Sequence, residues 1–379
     1  MSARCLAVVC RRVQPLSGAT AIILEQAKRL KNLGWSVHIY AESFDRACLI
    51  EAGLEPHRLG FWLWGSYLKR KFFAAMADRA VLRGSYDLVH GHGDNLYQDI
   101  LSLHNCVHAA HEAVLGASLP ESSGVGRIHA RILLERRFKR IIANSLLMRD
   151  ELVRRFAIAR EKIEVIYPGY DPLRFRPQDR ERFRAEVRRE LGFGPGDILF
   201  GLITSGDFRK RGVETFIRAL GNLLSRGIPV KALVIGKESR LGPYLRLAAE
   251  AGLGDHIRFL SPSAQVERFY HALDIYVHPA LYEEFGITVL EALACGLPVI
   301  ACERVGAVEL MRGKSREFLL QSGDAQELAG KLSLLASNEN LRRHLGLLGS
   351  AAVKDNTWEH NFAATFACYE KILRVTKKR

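Results

Sequence analysis

The chain has 379 residues, of which 48% are hydrophobic and 25% are charged, and this is the composition of a globular protein with material for two or three domains. Its 32 glycines and 12 prolines are too few for a collagen-like or low-complexity chain, and the hydrophobic content excludes disorder as the dominant state. A formal net charge of +14, spread over both halves of the chain, favours an anionic partner such as a phosphorylated ligand, a lipid surface or nucleic acid.

Cysteine spacing and hydropathy argue against several further classes. The seven cysteines include no C-x-x-C pair, so neither a zinc site nor a disulfide framework is predicted, and reduced thiols in the cytoplasm fit best. No apolar run approaches the roughly 18 residues that would span a bilayer. The short apolar start is interpreted as a core strand and not as a secretory signal.

The N-terminal half alternates short apolar runs with amphipathic segments. Residues 6–9 predict a buried strand, residues 15–20 a loop, residues 22–33 a helix and residues 35–40 the next strand. This order is a βαβ unit. Further strands are predicted at residues 88–90, 100–103, 141–143 and 163–166, and a long helix at residues 127–138.

Prolines and glycines punctuate residues 167–196, after which the alternation restarts. Two successive halves of this kind predict an α/β fold of two doubly wound, Rossmann-like domains that face each other across a cleft. The domains are placed at residues 1–174 and 175–355, with a C-terminal helix and basic tail at residues 356–379. The later strands are predicted at residues 198–203, 230–235, 257–260, 275–277 and 298–300, and helices at residues 213–224 and 358–374.

The most informative stretch is residues 278–299, which read HPALYEEFGITVLEALACGLPV. A predicted strand ends just before it, an acidic loop follows, and a helix opens near Gly286. Glycine lets an anion approach the backbone, and a helix N-terminus offers N–H groups and partial positive charge to a phosphate. Glu283 and Glu291 are eight residues apart and can face one cleft, although two glutamates by themselves are more often solvated charges.

This string resembles the donor-site signature of family 4 glycosyltransferases of the GT-B fold. The family pattern is a Glu, a Gly-bearing dipeptide and then Glu-Ala-x-Ala-x-Gly-x-Pro-Val, and all of those positions match here. The resemblance extends to residues 144–145, 166–175, 233–236 and 306–309. It implies a GT-B fold whose C-terminal helix returns to the N-terminal domain. It also implies retaining transfer from a nucleotide-sugar donor, without a metal or other cofactor, because protein groups neutralise the leaving diphosphate.

The resemblance assigns roles to the residues of the string. Glu283 contacts sugar hydroxyls and is counted among the catalytic residues, and Glu291 contacts the ribose hydroxyls. Ionised carboxylates accept hydrogen bonds from hydroxyls well. The backbone N–H groups of Phe285, Gly286 and Ile287 hold the distal phosphate.

The same resemblance places cations on the diphosphate. Arg211 stands where the family usually has Lys, and Lys210 is able to share its role, since a guanidinium binds phosphate bidentately. The family's upstream Gly-Arg dipeptide is Gly206-Asp207 here, so that cation is missing. Arg174 is the candidate replacement, as in some lipopolysaccharide-core members. Taken alone, the basic triplet Arg209-Lys210-Arg211 is equally compatible with a solvated loop.

Two candidate donor contacts lie in the N-terminal half. Gly18 matches one of two adjacent family glycines that approach the diphosphate, and Ser17 replaces the other; a plain turn explains Gly18 equally well. His104 ends a predicted strand and matches a family histidine near the anomeric carbon, where it hydrogen-bonds the sugar or stabilises developing charge. With Glu283 it makes up the predicted catalytic set.

Other polar residues of this half receive weaker assignments. No aspartate or cysteine partners stand at ligand spacing, so no metal site is predicted among the histidines. The weaker candidates for structural or acceptor-site roles are His90, His92, His108, His111, Asp94 and Asn95.

Two basic segments suggest a lipid surface. Residues 127–162 contain 11 basic and 4 acidic side chains, and residues 67–73 follow an aromatic run at residues 61–64. Basic residues beside aromatic ones dock on anionic membranes. A core-facing apolar stripe with a solvated basic face explains the pattern equally well.

The combined hypothesis is a retaining hexosyltransferase in the cytoplasm, peripheral on the inner face of the cytoplasmic membrane. It would move a sugar from a UDP-linked donor to a lipopolysaccharide core or related glycolipid acceptor. The alternatives are a GDP-mannose-dependent mannosyltransferase of exopolysaccharide synthesis and a non-catalytic sugar-nucleotide-binding module. Nucleic acid is not an expected partner, because no recognition motif accompanies the charge.

Overall fold

A computed structural model describes residues 4–14, 17–60, 65–321 and 323–376, with the backbone alone at residues 375–376. Residues 15–16 of the predicted first loop and the aromatic run at residues 61–64 lie outside the described residues. The chain divides into two compact units. The N-terminal unit is Met1–Gly169 together with Trp358–Arg379, and the C-terminal unit is Tyr170–Thr357.

The N-terminal unit is built on a parallel sheet. Its strands are β1 (Cys5–Val9), β2 (Arg12–Val13), β3 (Ser36–Ala41), β4 (Ser43–Phe44), β5 (Leu54–Arg58), β6 (Leu88–Gly91), β7 (Ile100–Leu103), β8 (Arg140–Ala143) and β9 (Ile163–Val165). Seven of them form one sheet in the order β5-β3-β1-β6-β7-β8-β9, and β2 pairs with β4. Val8 of β1 sits in register with Ile39 and His90 of the flanking strands. Burial on both faces explains the continuous apolar runs in the sequence.

Among its described residues, this unit has six α-helices before the domain boundary. They are α1 (Gly18–Asn32), α2 (Arg46–Glu51), α3 (Ser66–Arg83), α4 (Val107–Leu115), α5 (Gly124–Glu135) and α6 (Leu146–Phe156). The Ser17 side chain accepts a hydrogen bond from the Thr20 N–H at 3.3 Å and caps α1. The prediction of a loop through residue 20 is therefore wrong at its end, because Gly18 is already the first helical residue.

The helix predicted at residues 127–138 starts and ends earlier in the structure. Ser123 caps it at 3.2 Å from the Gly126 N–H, and Arg136 ends it in the left-handed conformation with φ of 52°. At Gly124 an added Cβ would lie 2.7 Å from the Tyr67 backbone nitrogen, so glycine permits the close approach of α5 to α3. These caps fix the boundaries that apolar periodicity alone misplaced.

The C-terminal unit has a second parallel sheet. Its strands are β10 (Leu199–Ile203), β11 (Lys231–Ile235), β12 (Ile257–Leu260), β13 (Ile275–His278), β14 (Val299–Cys302) and β15 (Leu319–Leu320), in the order β12-β11-β10-β13-β14-β15. Its helices are α7 (Arg180–Glu190), α8 (Val213–Ser225), α9 (Gly242–Glu250), α10 (Glu267–Ala272), α11 (Ile287–Ala294), α12 (Ala325–Ser337) and α13 (Glu339–Val353).

A buried carboxylate ties α7 to this sheet. Asp274, just before β13, accepts a hydrogen bond from the Leu199 N–H at 2.9 Å and pairs with Arg184 at 2.7 Å. Arg188 also reaches Asp274 and donates to the Asp197 carbonyl at 2.9 Å. Burial opposes ionisation of Asp274, but the arginines outweigh it and lower its pKa. The cluster holds the amino-terminal edge of β10 and β13 in place.

The last helix, α14 (Trp358–Thr376), belongs to the N-terminal unit. It packs on α1, where the Gln26 amide donates to Asn361 Oδ1 at 3.3 Å. Tyr369 lies in the same hydrophobic cluster as Leu6 and Ile39 of the sheet. The predicted return of the C-terminal helix to the N-terminal domain is confirmed.

Both sheets are doubly wound, as predicted. In the first, the chain extends from β1 toward β5 and then crosses to β6, so the strand order reverses between β1 and β6. In the second, the reversal lies between β10 and β13. Ligands of open α/β sheets bind outside the carboxyl ends of the strands at such points. The loops that follow these four strands are therefore where ligand-binding residues are expected.

Candidate active site

The loop after β13 holds Glu283 in a fixed position. The Glu283 N–H donates to the Arg304 carbonyl at 2.9 Å, and the Glu283 carbonyl accepts from the Gly306 N–H at 3.0 Å. Gly286 ends the loop with φ of 92°, a conformation that favours glycine, and an added Cβ would lie 3.2 Å from Glu283 Cγ. The backbone thus presents the Glu283 carboxylate at the carboxyl edge of the sheet.

Glu283 is ionised and paired. Its carboxylate forms an ion pair with the Arg211 guanidinium, and His278 Nε2 lies 3.6 Å from its Oε2. Only 12% of the Glu283 side chain and 14% of the Arg211 side chain are exposed. Burial alone would raise the pKa of Glu283, but Arg211 and His278 outweigh it and lower the pKa to about 2. The structure brings together two residues to which the sequence assigned separate partners.

The loop after β10 supplies the cations. Lys210 pairs with Glu284 at 2.8 Å, and Arg211 Nε donates to Thr204 Oγ1 at 3.2 Å. Gly212 follows with φ of 68°, and an added Cβ would lie 2.0 Å from the Pro279 carbonyl oxygen. Glycine at this position is what allows the loops after β10 and β13 to touch.

The first turn of α11 is arranged to receive an anion. The helix begins at Ile287 with Gly286 as its N-cap residue, and glycine has no side chain with which to cap it. Backbone N–H groups of a first helical turn lack intrahelical acceptors and carry partial positive charge. Phe285 buries its ring beside them, with 2% of the residue exposed. The predicted phosphate contacts therefore lie together at this helix end.

Glu291 lies one turn into α11 and is partly buried. The Tyr270 hydroxyl donates to its Oε2 at 2.8 Å. Burial raises the pKa of Glu291 to about 7, against the opposing effects of the Tyr270 hydrogen bond and the charge of Arg174. Arg174 itself pairs with Glu267 and donates to the Ala264 carbonyl at 2.6 Å.

In the N-terminal unit the candidate site follows β6 and β7. His104 Nε2 lies 2.8 Å from His92 Nδ1, and the two rings stack with centroids 5.1 Å apart. Burial lowers the pKa of His104 to about 4 and also lowers the pKa of His92. Both rings are therefore neutral near pH 7, and one donates a hydrogen bond to the other.

His90 is a structural member of the same cluster. Its Nδ1 lies 2.7 Å from the Tyr369 hydroxyl and its Nε2 lies 2.7 Å from Ser102 Oγ. Its ring also stacks on His92, with centroids 4.5 Å apart. Both ring nitrogens of His90 have hydrogen-bond partners within the unit, so its role is structural. By stacking on His92 it stabilises the position of the His92–His104 pair.

The remaining candidates of this unit fall in different places. Gly18 is exposed at the start of α1. Asn95 is completely buried and donates to the Tyr97 carbonyl at 2.6 Å. His108 packs on His129, with ring centroids 5.7 Å apart. Asp94 accepts a hydrogen bond from the Arg11 N–H at 2.9 Å, at the carboxyl edge of β6.

Sequence reasoning gave no role to three residues that complete the site. His278 ends β13 and Thr204 follows β10, and a polar residue at the carboxyl end of a buried strand is a usable signal for both. Tyr270 carries no such signal, because its contact with Glu291 arises only when α10 packs near α11.

The described part of the chain lacks two features. Within it, no group of three or more histidine, cysteine, aspartate or glutamate side chains is arranged to hold a metal ion. No helix there is long and apolar enough to cross a membrane.

Residues 16–174 match the family described as Glycosyltransferase Family 4, and residues 184–348 match the family described as Glycosyl transferases group 1. The chain belongs to the group 1 glycosyltransferases, family 4. Together the two matches cover the second sheet, all strands of the seven-stranded sheet except β1, and the loops after β6, β7, β10 and β13. This enzyme class transfers a sugar from a sugar-nucleotide donor, so the protein is a glycosyltransferase with such a donor.

Curated relatives and solved structures agree with this assignment. The chain is 29% identical over 313 residues to the D-inositol 3-phosphate glycosyltransferase of Nocardia farcinica, covering 77% of this chain and 68% of that protein. It is 25% identical over 392 residues to the enzyme of the same name from Thermobifida fusca, covering 94% and 89%.

The structural matches establish the GT-B fold. WaaG, a glycosyltransferase involved in lipopolysaccharide biosynthesis, aligns with a TM-score of 0.81 at 19% identity, covering 95% of this chain and 99% of that one. Anabaena Alr3699/HepE in complex with UDP and glucose aligns with a TM-score of 0.77 at 18% identity, covering 96% and 99%. The predicted fold class is thus confirmed.

The partly buried Glu291 predicts a measurable pH dependence of stability. Its pKa rises on folding from about 4.5 to about 7, so the folded state loses stability as the pH rises through that window. Glu291→Gln removes this loss. Between pH 5 and pH 8, the unfolding free energy of the variant relative to the wild type should therefore increase by about 1–3 kcal/mol, measured by urea denaturation. Glu303→Gln, at an exposed position, is the control. An equal pH response of both variants would contradict the assignment.

Proposed function

We propose that the protein is a retaining hexosyltransferase that takes its sugar from a UDP-linked donor and passes it to a lipopolysaccharide core or related glycolipid. The observation that most supports this proposal is the largely buried ion pair between Glu283 and Arg211. The pair lies where the strand order of the C-terminal sheet reverses, next to the start of α11, which has no side-chain cap. In this proposal the C-terminal unit binds the nucleotide-sugar and the N-terminal unit binds the acceptor.

Donor binding exchanges ionic partners. Lys210 and Arg211 each pair with a glutamate, so the four side chains of the two pairs sum to zero charge. A diphosphate carries more negative charge than a single carboxylate, and its oxygens can bind a guanidinium in a bidentate fashion. When the phosphates take the two cations, the Glu283 carboxylate is released to accept hydrogen bonds from sugar hydroxyls. The first turn of α11 holds the distal phosphate, with the N–H groups from Phe285 to Ile287.

The reaction then breaks the bond between the anomeric carbon and the phosphate oxygen. The acceptor hydroxyl oxygen attacks the same face of the sugar, its proton passes to the departing phosphate oxygen, and the configuration is retained. The protein positions the reactants and stabilises the developing charges. His104 takes part as a neutral imidazole, because burial lowers its pKa to about 4, and His92 fixes its orientation and tautomer.

Glu291 serves the ribose of the donor. Hydroxyl groups that donate to a carboxylate favour its ionised form. A carboxyl with a pKa near 7 is therefore converted to the acceptor form when ribose binds. The exposed Arg174, paired with Glu267, adds positive charge on this side of the site.

A basic and apolar surface supports docking on the inner face of the cytoplasmic membrane. On α3, Leu68 is 58% exposed and Phe72 is 43% exposed, with the exposed Lys71 between them. On the neighbouring α5, Leu134 is 65% exposed. The Arg127 guanidinium lies 3.7 Å from the Tyr67 ring and joins the two helices. Apolar side chains flanked by cations suit an anionic interface.

The curated relatives favour a second candidate acceptor. They are named D-inositol 3-phosphate glycosyltransferases, and one of them aligns over 94% of this chain. A phosphorylated polyol is therefore the alternative to a glycolipid. Both acceptors carry hydroxyls beside an anionic group.

Nucleotide binding tests the donor assignment. Millimolar UDP should raise the thermal stability of the protein more than GDP or ADP, by about 2.7 kcal/mol at a hundredfold excess over Kd. Glu283→Gln should keep the UDP response, because Glu283 contacts the sugar, whereas Arg211→Ala should lose most of it. A response to GDP alone would favour the mannosyltransferase. No response to any nucleotide would contradict the proposed site.

Sugar transfer tests the site residues. Glu283→Ala and Arg211→Ala should each lower transfer from a UDP-hexose by about 100-fold, since each removes a charged group that acts on the transition state. The rate is followed as UDP release with a lipopolysaccharide-core acceptor, and circular dichroism checks the fold. Glu303→Ala, in an exposed loop residue, is the matched control. Near-normal rates in the two site variants would refute the assignment.

Vesicle sedimentation tests the membrane surface. The protein should pellet with phosphatidylglycerol vesicles and less with phosphatidylcholine vesicles, and added salt should release it. The double variant Leu68→Ser, Phe72→Ser should bind the anionic vesicles about tenfold more weakly, because it removes apolar area from the surface. Leu334→Ser, Leu347→Ser alters equally exposed leucines of the C-terminal unit and should bind as the wild type does. Equal binding by both double variants would exclude this surface.

A further inference from the structure

A second cluster of charges lies at the strand-order reversal of the N-terminal sheet. Arg11 follows β1 and Asp94 follows β6, the two strands between which the order reverses. The Arg11 N–H donates to Asp94 Oδ2 at 2.9 Å, and the Arg11 guanidinium pairs with Glu42 at 2.9 Å. Glu42 follows β3, so three neighbouring strands bring these groups to one edge.

Helix α3 adds further cations to this cluster. Lys69 pairs with Glu42 at 2.5 Å, and Arg70 Nη1 lies 3.9 Å from Asp94 Oδ1. Arg11 Nε lies 3.8 Å from the same oxygen. Both of these guanidinium contacts with Asp94 are longer than a hydrogen bond. Asp94 attracts the two guanidinium groups without satisfying them.

The arginines of the cluster have unmet hydrogen-bonding capacity. Among the described residues, the buried Nε groups of Arg11 and Arg70 have no hydrogen-bond acceptor. Arg11 is 8% exposed, and a buried N–H of a charged group without an acceptor is costly and unusual. Burial and the nearby charges of Arg11 and Arg12 lower the pKa of Arg70, whose cation is thus incompletely neutralised.

The net charge of the cluster is also positive. The cluster contains three cations, Arg11, Lys69 and Arg70, and two carboxylates. Of these carboxylates, Glu42 pairs at short range with both Lys69 and Arg11. Arg70 is partly open, with 21% of its side chain exposed. A guanidinium that is oriented by a carboxylate and left without full neutralisation is suited to bind an oxyanion in a bidentate fashion.

We propose that Arg70 and Arg11, oriented by Asp94, form an oxyanion subsite that binds a phosphate or carboxylate carried by the acceptor. The assignment to the acceptor rests on the proposed function, in which this unit binds that substrate. The donor diphosphate has its own cations in Arg211 and Lys210. The acceptor is accordingly a phosphorylated or carboxylated sugar, polyol or glycolipid, and a neutral saccharide is a poor substrate.

Inorganic phosphate is the first probe. The affinity of the full chain for phosphate is measured by calorimetry, first without nucleotide and then with saturating UDP. Arg70→Gln should weaken phosphate binding about tenfold or more, as expected for loss of a charge-assisted hydrogen-bonded pair. Arg70→Lys keeps the charge but loses the planar fork, and should fall between. Arg79→Gln, an exposed arginine on the same helix, should bind phosphate as the wild type does.

Transfer assays provide the second readout. With a phosphorylated core acceptor, Arg70→Gln should raise KM about tenfold and leave kcat nearly unchanged, and with the enzymatically dephosphorylated acceptor the KM of wild type and variant should coincide. Equal phosphate affinity in the Arg70→Gln and Arg79→Gln variants would overturn the subsite, as would failure of phosphate to bind the wild type. Displacement of the Arg70-dependent phosphate by UDP would overturn the assignment to the acceptor. Arg70-dependent phosphate binding in a protein that does not bind UDP would preserve the subsite and refute the proposed function.

Discussion

The arrangement of the loops in the C-terminal unit depends on the ion pair between Glu283 and Arg211. Two charges removed from water cost several kcal/mol unless they meet each other in good geometry. That geometry requires the loops after β10 and β13 to touch, and these loops meet because the chain reverses its strand order between these two strands. Gly212 permits the approach on one side and Gly286 turns the chain into α11 on the other. The two glycines, the strand order and the largely buried pair are therefore parts of one arrangement.

In the N-terminal unit the polar groups at the corresponding place are neutral histidines and not an ion pair. His92 is buried, His104 is partly buried, and the two share a hydrogen bond of 2.8 Å; loss of solvent around them lowers both pKa values and keeps both rings uncharged. His90 supports them from behind and is itself held by Tyr369 of the last helix. The C-terminal end of the chain thus contributes to the layer that orients His104, which gives α14 a role in addition to filling the core. A substitution in α14 is expected to act on this histidine pair through packing.

Much of this architecture could be predicted from the sequence, because parallel strands buried on both faces leave continuous apolar runs such as residues 199–203 and 231–235. The motif around Glu283 could be recognised in the sequence equally well. The ends of helices were harder to predict, because Ser17 and Ser123 start helices through side-chain caps that apolar periodicity does not reveal. Strand β5 was missed because it contains Pro56 and only five residues at the sheet edge. The pairing of Arg211 with Glu283 was not predicted, since residues 72 positions apart in the sequence meet only once the loops after β10 and β13 of the second sheet are in place.

The two arginine clusters differ in a way that accounts for their proposed ligands. Arg211 is matched by one carboxylate at close range, so an incoming diphosphate must take it from Glu283 and thereby frees a carboxylate for the sugar. Arg70 is held by Asp94 at 3.9 Å and has no such partner to release, so an oxyanion adds to the cluster without displacing anything. The first arrangement links phosphate binding to sugar recognition and suits a donor whose leaving group must be stabilised only while it is bound. The second provides standing positive charge, which suits a substrate that is recognised by its charge and is not cleaved at that group.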